Sequence, residues 1–192
     1  MSTTKWAASV VSGIYEREFD YVWHGLRRLG IPTRDLPDVT HDVFLTLFRV
    51  IERYDSARPL RPWLFGIMYR VASDHIRLVR NQRETLDADL ITLEPSTSPQ
   101  VAIDAFDKWR IVERALAGLP LSHRAVLVMH DFLGYTGTEI AGVLDIPEKT
   151  VYSRLYHARD RFVEHAEAAL ARRGGAPEDL GVPGAVIAAA LK

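Results

Sequence analysis

The sequence predicts an all-α protein of two small helical domains joined by a flexible acidic linker. Three observations carry this. Apolar residues recur at spacings of three and four through most of the chain, as in amphipathic helices. No run alternates with a period of two, as a half-buried strand would. Residues 85–108 contain the breaker-rich stretch Glu94-Pro95-Ser96-Thr97-Ser98-Pro99 and carry five acids against one lysine, which reads as a tether. The expected units are a first domain over 1–84, the linker 85–108, a second domain over 109–165, and a helical extension with tail over 166–192.

Each element follows from local signals. The first helix reads Tyr15, Phe19, Val22, Trp23, Leu26, Leu29, and Gly30 followed by Pro32 ends it. A second helix is expected from about Asp38 to Tyr54. After the turn Asp55-Ser56-Ala57-Arg58-Pro59, a third carries Pro62 in its first turn and runs to about Arg83. Beyond the linker, whose end from Ile103 to Lys108 reads as the start of the next helix, come helices at about Trp109–Ala117 and Ser122–Asp131. Gly134 breaks the chain. A short helix Thr138–Leu144, the turn Asp145-Ile146-Pro147-Glu148 and a long helix from Lys149 to about Ala171 complete the reading.

Composition removes several chemistries. The 192 residues include no cysteine, so there are no disulfides, thiolate nucleophiles or sulfur-based metal sites, which fits a reducing cytosol. The start Met1-Ser2-Thr3-Thr4-Lys5-Trp6 lacks a basic-then-apolar leader pattern. The longest apolar stretch, Ala185 to Leu191, is far short of the about 20 residues that span a bilayer, so a cytoplasmic protein without membrane insertion is expected. The net charge of −1 hides asymmetry: residues 49–84 hold eight arginines against four acids, whereas 85–108 has a net charge of −4. A cationic block beside an acidic joint suits a module that binds a polyanion.

The segment Thr138 to Arg161 has the grammar of a helix-turn-helix. On a wheel of about 100° per residue, Val151, Leu155, Ala158 and Phe162 form a core stripe. Lys149, Tyr152, Ser153, Tyr156, His157 and Asp160 lie on the outer face, and Arg154, Arg159 and Arg161 flank the stripe. Hydrogen-bonding and aromatic groups with cationic edges suit a major groove flanked by phosphates. A solvated helix face with incidental tyrosines is the plainer alternative.

The residues Leu119-Pro120, Arg124-Ala125-Val126-Leu127, Gly134-Tyr135-Thr136, Glu139-Ile140-Ala141, Ile146-Pro147, Thr150-Val151-Tyr152-Ser153-Arg154-Leu155 and Ala158-Arg159 resemble, in order and spacing, region 4 of bacterial sigma factors of the extracytoplasmic-function (ECF) type. The resemblance implies a −35 promoter reader. By position, Lys149, Tyr152, Ser153, Tyr156 and His157 would face base edges or nearby phosphates, with Arg154 and Arg159 on the backbone. Tyr152 and His157 stand where many relatives carry arginine, which bears on the −35 sequence preferred.

The second helix offers another surface. Val39, Val43, Leu47, Val50 and Tyr54 form one stripe, while Leu45 and Phe48 project nearly opposite, beside His41 and Glu52. Two large apolar groups one turn apart on a polar face suggest docking, the alternative being a helix buried on both sides. Asp38-Val39-Thr40-His41-Asp42-Val43-Phe44 resembles sigma region 2.2. That implies a core-polymerase contact by Asp38, His41, Asp42, Leu45 and Phe48, with His41 where the family usually has glutamine. Pro62-Trp63-Leu64-Phe65-Gly66-Ile67, Asp74 and Arg77 resemble regions 2.3 and 2.4, which open and read the −10 element. The implied −10 residues are Tyr54, Arg58 and Arg61 at the loop, and Tyr69, Arg70, Ser73 and Arg77 on the third helix; Trp63 and Ile67 read as core, and Asp74 as a positioner of an arginine. Strand opening needs cations for phosphates and faces for unstacked bases, which this set supplies.

The implied partners are core RNA polymerase, at its β′ clamp and β flap, promoter DNA and an anti-sigma factor; no cofactor and no enzymatic activity are implied. Other chemistries find little support. Asp38, His41 and Asp42 lack a second ligating segment, so no metal is expected. Ser73-Asp74-His75 are consecutive on a helix and diverge by about 100° per residue, which no catalytic triad tolerates. A stand-alone helix-turn-helix regulator stays open as the alternative, differing in that it does not bind core polymerase. The tail from Ala166 fits a frayed end, a cap on the linker or a partner contact equally well.

Overall fold

The computed structural model describes the backbone of residues 3–85 and 103–171, with side chains over 13–81 and 109–169. In chain order the elements are α1 (Thr3–Arg28), α2 (Leu36–Val50), a 3-10 turn (Ile51–Arg53), α3 (Leu60–Thr85), α4 (Ile103–Ala117), α5 (Leu121–Leu127), a π-wound turn (Val128–Phe132), α6 (Gly137–Leu144) and α7 (Glu148–Ala171). All described elements are helical, as the periodicity predicts.

The first domain packs α1, α2 and α3 around Val22, Leu26, Leu29, Leu36, Val39, Val43, Leu47, Leu64, Phe65 and Met68, all buried. Helix α1 ends where Gly30 turns to φ +88°. The Ile31 amide reaches back to the Leu26 carbonyl (3.0 Å) and the Gly30 amide to that of Arg27 (2.9 Å), the paired bonds of a Schellman end. Helix α2 is shorter than its apolar pattern suggests. Tightening to a 3-10 turn after Val50 rotates the chain, so Val50 and Tyr54 are only half-buried, while Leu36, Thr40 and Phe44 complete the buried face.

The second domain packs α4, α5 and α6 on α7, with α6 also against the π-wound turn. Helix α4 begins at Ile103 and takes the last residues of the expected linker; the rest of that linker, 86–102, and the tail beyond 171 lie outside the described residues. Sequence periodicity did not distinguish the winding of 128–132. There the Leu133 amide bonds the Val128 carbonyl five residues back at 3.0 Å, an insertion that turns Asp131 inward.

The two domains touch. Arg124 of α5 is buried, and its guanidinium donates to the Leu29 carbonyl at the end of α1 (2.6 Å) and to the carbonyls of Ala117 and Leu119 (2.8 Å each). Burial pushes its pKa down to about 10, and it remains the cation those carbonyls require. Gly30 leaves room for it: a Cβ there would collide with the Arg124 Nη1. Arg27 pairs with Glu113 (2.7 Å), Arg28 lies over the Trp109 and Phe132 rings (5.2 and 5.9 Å), and the Tyr21 and Tyr135 hydroxyls meet at 3.3 Å. Burial, then Tyr135, raises the Tyr21 pKa, so this phenol stays neutral.

Candidate nucleic-acid interface

The helix-turn-helix is built from three local devices. Thr136 caps α6 reciprocally with Glu139: its hydroxyl accepts the Glu139 amide (3.3 Å), and the Glu139 carboxylate accepts the Thr136 amide (2.8 Å). The Thr136 amide foremost, and then the Thr136 hydroxyl, which also donates to this carboxylate (2.8 Å), hold the Glu139 carboxyl below its ordinary range. Asp145 ends α6 in the left-handed region at φ 53°, a conformation short polar side chains tolerate. Val151, Leu155, Ala158 and Phe162 then anchor α7, all at 3% exposure or less.

Anchoring that stripe presents the opposite face to solvent. Lys149, Ser153 and His157 are exposed, Tyr152 and Tyr156 are 52% and 70% exposed, and Arg154 is half-buried at the edge. The Tyr152 ring lies over the first turn of α6. A Cβ on Gly137 would sit 2.7 Å from its Cζ and Oη, so the glycine fixes where this tyrosine points. On the −35 role that the resemblance implies for Tyr152, Gly137→Ala should displace this ring and change base preference while the protein stays folded, a result that selection of binding sites from random duplexes would reveal.

Arg159 is placed differently from Arg154. It occupies the other edge of α7 and closes on Asp131, with Nη2–Oδ1 at 2.6 Å and Nε–Oδ2 at 2.8 Å. His130 joins the same carboxylate at 2.7 Å. The Asp131 side chain is 1% exposed, and donating hydrogen bonds to this carboxylate raises the Arg159 pKa. Arg159 thus holds α7 to the π turn, and its charge is already answered within the protein.

The residues expected at the −10 element gather at the start of α3 and along its outer face. The Tyr54 hydroxyl donates to the Arg58 carbonyl (2.6 Å) and its ring packs on Trp63 at 4.9 Å, closing the loop that carries Arg58. Arg61 is held by Glu18 (2.8 Å) over the Tyr21 ring (5.1 Å). Arg70 is exposed, Tyr69 and Ser73 are half-buried, and Arg77 pairs with Asp74 at 3.1 Å, consistent with the positioning role expected of Asp74. Ile67 is core at 4% exposure. A cleft of about 410 Å³ separates Arg58, Trp63 and Arg70 from Glu139, Gly142 and Val143 of α6, so the −10 candidates border the other domain at α6.

On α2, Asp38, His41 and Asp42 are exposed, and Leu45 and Phe48 stand at 41% and 42% exposure, opposite buried Val39, Val43 and Leu47. No group of three or more potential metal ligands exists among the described residues. Periodicity missed the interdomain contacts of Arg124, Tyr21 and Arg28, because pairs this distant in sequence leave no local signal. The capping box had one: threonine followed three residues later by glutamate.

Comparison with known proteins agrees with this geometry. Residues 14–82 match the family Sigma-70 region 2, and residues 109–162 match Sigma-70, region 4. The chain is 30% identical over 152 residues to the ECF RNA polymerase sigma factor SigL of Mycobacterium tuberculosis, covering 79% of this chain and 85% of that protein. It is 24% identical over 139 residues to the ECF RNA polymerase sigma-E factor of Escherichia coli, covering 68% and 73%. Among solved structures, CnrH in complex with the cytosolic domain of CnrY superposes with TM-score 0.58 at 26% identity, over 84% of this chain and 95% of that one. RpoE of Bartonella quintana, in complex with the anti-sigma factor NepR, superposes with TM-score 0.60 at 18% identity, over 80% and 96%.

Proposed function

The chain belongs to the ECF RNA polymerase sigma factors, and from that premise we propose a division of labour among its three surfaces. It is a transcription initiation factor: it binds core RNA polymerase, directs it to promoters and assists DNA opening. The polymerase performs nucleotide addition, and this chain contributes promoter choice. The observation that carries the reading is the presence, in order on one chain, of sigma regions 2 and 4.

The outer face of α7 reads the −35 duplex, with Lys149, Tyr152, Ser153, Tyr156 and His157 toward bases or nearby phosphates and Arg154 on the backbone. Arg159 serves that contact indirectly, by fixing α7 on Asp131. The loop and outer face of α3, with Tyr54, Arg58, Arg61, Tyr69, Arg70, Ser73 and Arg77, take the opened −10 strand. Helix α2 docks on the polymerase clamp through Leu45 and Phe48, with Asp38, His41 and Asp42 around them. The second domain meets the β flap, an anti-sigma factor controls access to these surfaces, and the protein works in the cytoplasm. The anti-sigma reading draws support from the similar fold of RpoE, which was solved with such a partner.

Co-purification with core polymerase, followed by promoter-specific initiation in vitro, tests the reading. A DNA-binding protein that never associates with core would refute it in favour of a stand-alone regulator. The division itself is tested by two double variants. Tyr152→Ala with Tyr156→Ala should alter −35 base preference, at roughly 1–3 kcal/mol for each well-made base interaction removed, and spare opening once the complex has formed. Arg58→Ala with Arg61→Ala should hinder opening and leave the −35 preference intact. Permanganate reactivity of unpaired thymines, measured beside binding to −35 variants, separates the two steps. Proportional loss of both properties in both variants would contradict it.

A further inference from the structure

The second domain receives two arginines from the first in a setting that it builds itself. Arg28, in the last turn of α1, lies with its guanidinium 5.2 Å from the Trp109 ring and 5.9 Å from the Phe132 ring. Its neighbour Arg27 pairs with Oε1 of Glu113 at 2.7 Å. The same oxygen accepts the Trp109 indole N–H, also at 2.7 Å, so one carboxylate both steadies the ring and meets a charge. Trp109 and Glu113 stand one turn apart on α4. Phe132 is steadied from behind by an edge-on contact with buried Phe162 at 6.5 Å. Every wall of this pocket belongs to the second domain, and Arg27 and Arg28 only fill it.

Two aromatic faces beside a carboxylate are the chemistry that receives a guanidinium. They repel phosphate, which separates this site from the cationic surfaces of α3 and α7. Lysine fits it less well, because an ammonium has no planar face to lay on a ring. Neighbouring side chains on a helix diverge by about 100°, so one arginine reaches the carboxylate while the next reaches the rings. The pocket therefore matches a pair of adjacent arginines at a helix end. The chain's own pair is an imperfect occupant: Arg28 Nε is buried without a hydrogen-bond partner, and burial foremost pushes the Arg28 pKa down. An unpaired buried donor favours exchange for a ligand that satisfies it.

We propose that Trp109, Phe132 and Glu113 form a receptor for adjacent arginines at a helix end, filled here by Arg27 and Arg28 and taken, when the domains separate, by the same pattern on a basic segment of a different protein. The charge of the pocket makes that segment basic, and the α1 end seated in it supplies the template. A partner in this receptor also keeps Arg27 and Arg28 from returning, so binding it holds the domains apart.

The test uses the full chain labelled with nitrogen-15 and follows the Trp109 indole N–H signal, identified by its absence from a Trp109→Phe variant. The probe is an alanine-based helical peptide that ends Arg-Arg-Leu-Gly. Arg27→Ala with Arg28→Ala empties the receptor, and in this variant the probe should shift the Trp109 signal saturably. The wild type should show the same shift at about tenfold higher peptide concentration, because its own arginines compete. Glu113→Gln keeps an acceptor for the indole and removes the charge. That change in the emptied variant, or Lys-Lys in place of Arg-Arg in the probe, should weaken binding about tenfold. No shift with millimolar probe, in the wild type and in an emptied variant of normal helical content, would overturn the receptor. Equal binding of a probe with Ala-Ala in place of Arg-Arg would overturn it too, since no charge would then be read. A wild type that dimerises in sedimentation, and ceases to do so after Arg27→Ala with Arg28→Ala, would overturn the assignment to a different protein and make a second copy of this chain the occupant.

Discussion

Leu45→Glu combined with Phe48→Glu is expected to abolish stable association with core polymerase while the free protein keeps its helical content and melting temperature. Both side chains stand about two-fifths exposed on α2, facing away from buried Val39, Val43 and Leu47, so the substitutions add charge where water already reaches. In a complex the same positions would be desolvated. Interface anchors of this size contribute about 2 kcal/mol or more each, and two buried unpaired carboxylates add several more. A combined loss of about 5 kcal/mol is more than a thousandfold in affinity. Fluorescence anisotropy of labelled protein against core enzyme measures it, with circular dichroism as the control. Unchanged affinity in a folded double variant would remove the docking role from this face.

Asp131→Ala is expected to cause the largest loss of stability. The carboxylate is 1% exposed and holds Arg159 and His130 together beneath α7. Removing one partner of such a pair leaves a desolvated charge, at about 3 kcal/mol when the surviving guanidinium keeps some access to water, as Arg159 does at 20% exposure. Thermal unfolding should begin roughly 10 °C lower. Asp131→Leu with Arg159→Met should recover most of this, because the stranded charge is gone. If the double variant were no more stable than the single one, the deficit would lie in the π turn rather than in the ion pair.

Legibility in the sequence followed the range of the interactions. The α7 face was readable because Val151, Leu155, Ala158 and Phe162 form an unbroken stripe, and burying it determines which residues face outward. Leu45 and Phe48 were readable for the same reason on α2. The end of α2 was less so: the apolar pattern continues through Val50 and Tyr54, but the 3-10 turn changes the angle per residue and breaks the stripe. Arg159 resembled any flanking arginine, since its partner lies 28 positions away and points inward only through the π turn. The Arg124 bond to Leu29 spans 95 residues and left no trace in local periodicity.

That last contact has an energetic consequence for initiation. The −35 and −10 elements lie about 25 base pairs apart, roughly 85 Å along the duplex at 3.4 Å per base pair. A chain whose two domains are held together by Arg124 on Leu29 and Arg27 on Glu113 cannot span that distance until this contact parts. A promoter that must engage both readers at once would bind only the fraction of molecules already parted, and its apparent affinity would be scaled by that fraction: a 99:1 preference for contact would weaken it about a hundredfold. The interdomain bonds thus act as a competitive inhibitor present at one copy per molecule. Its concentration never changes, and only a ligand that prefers the parted form can displace it.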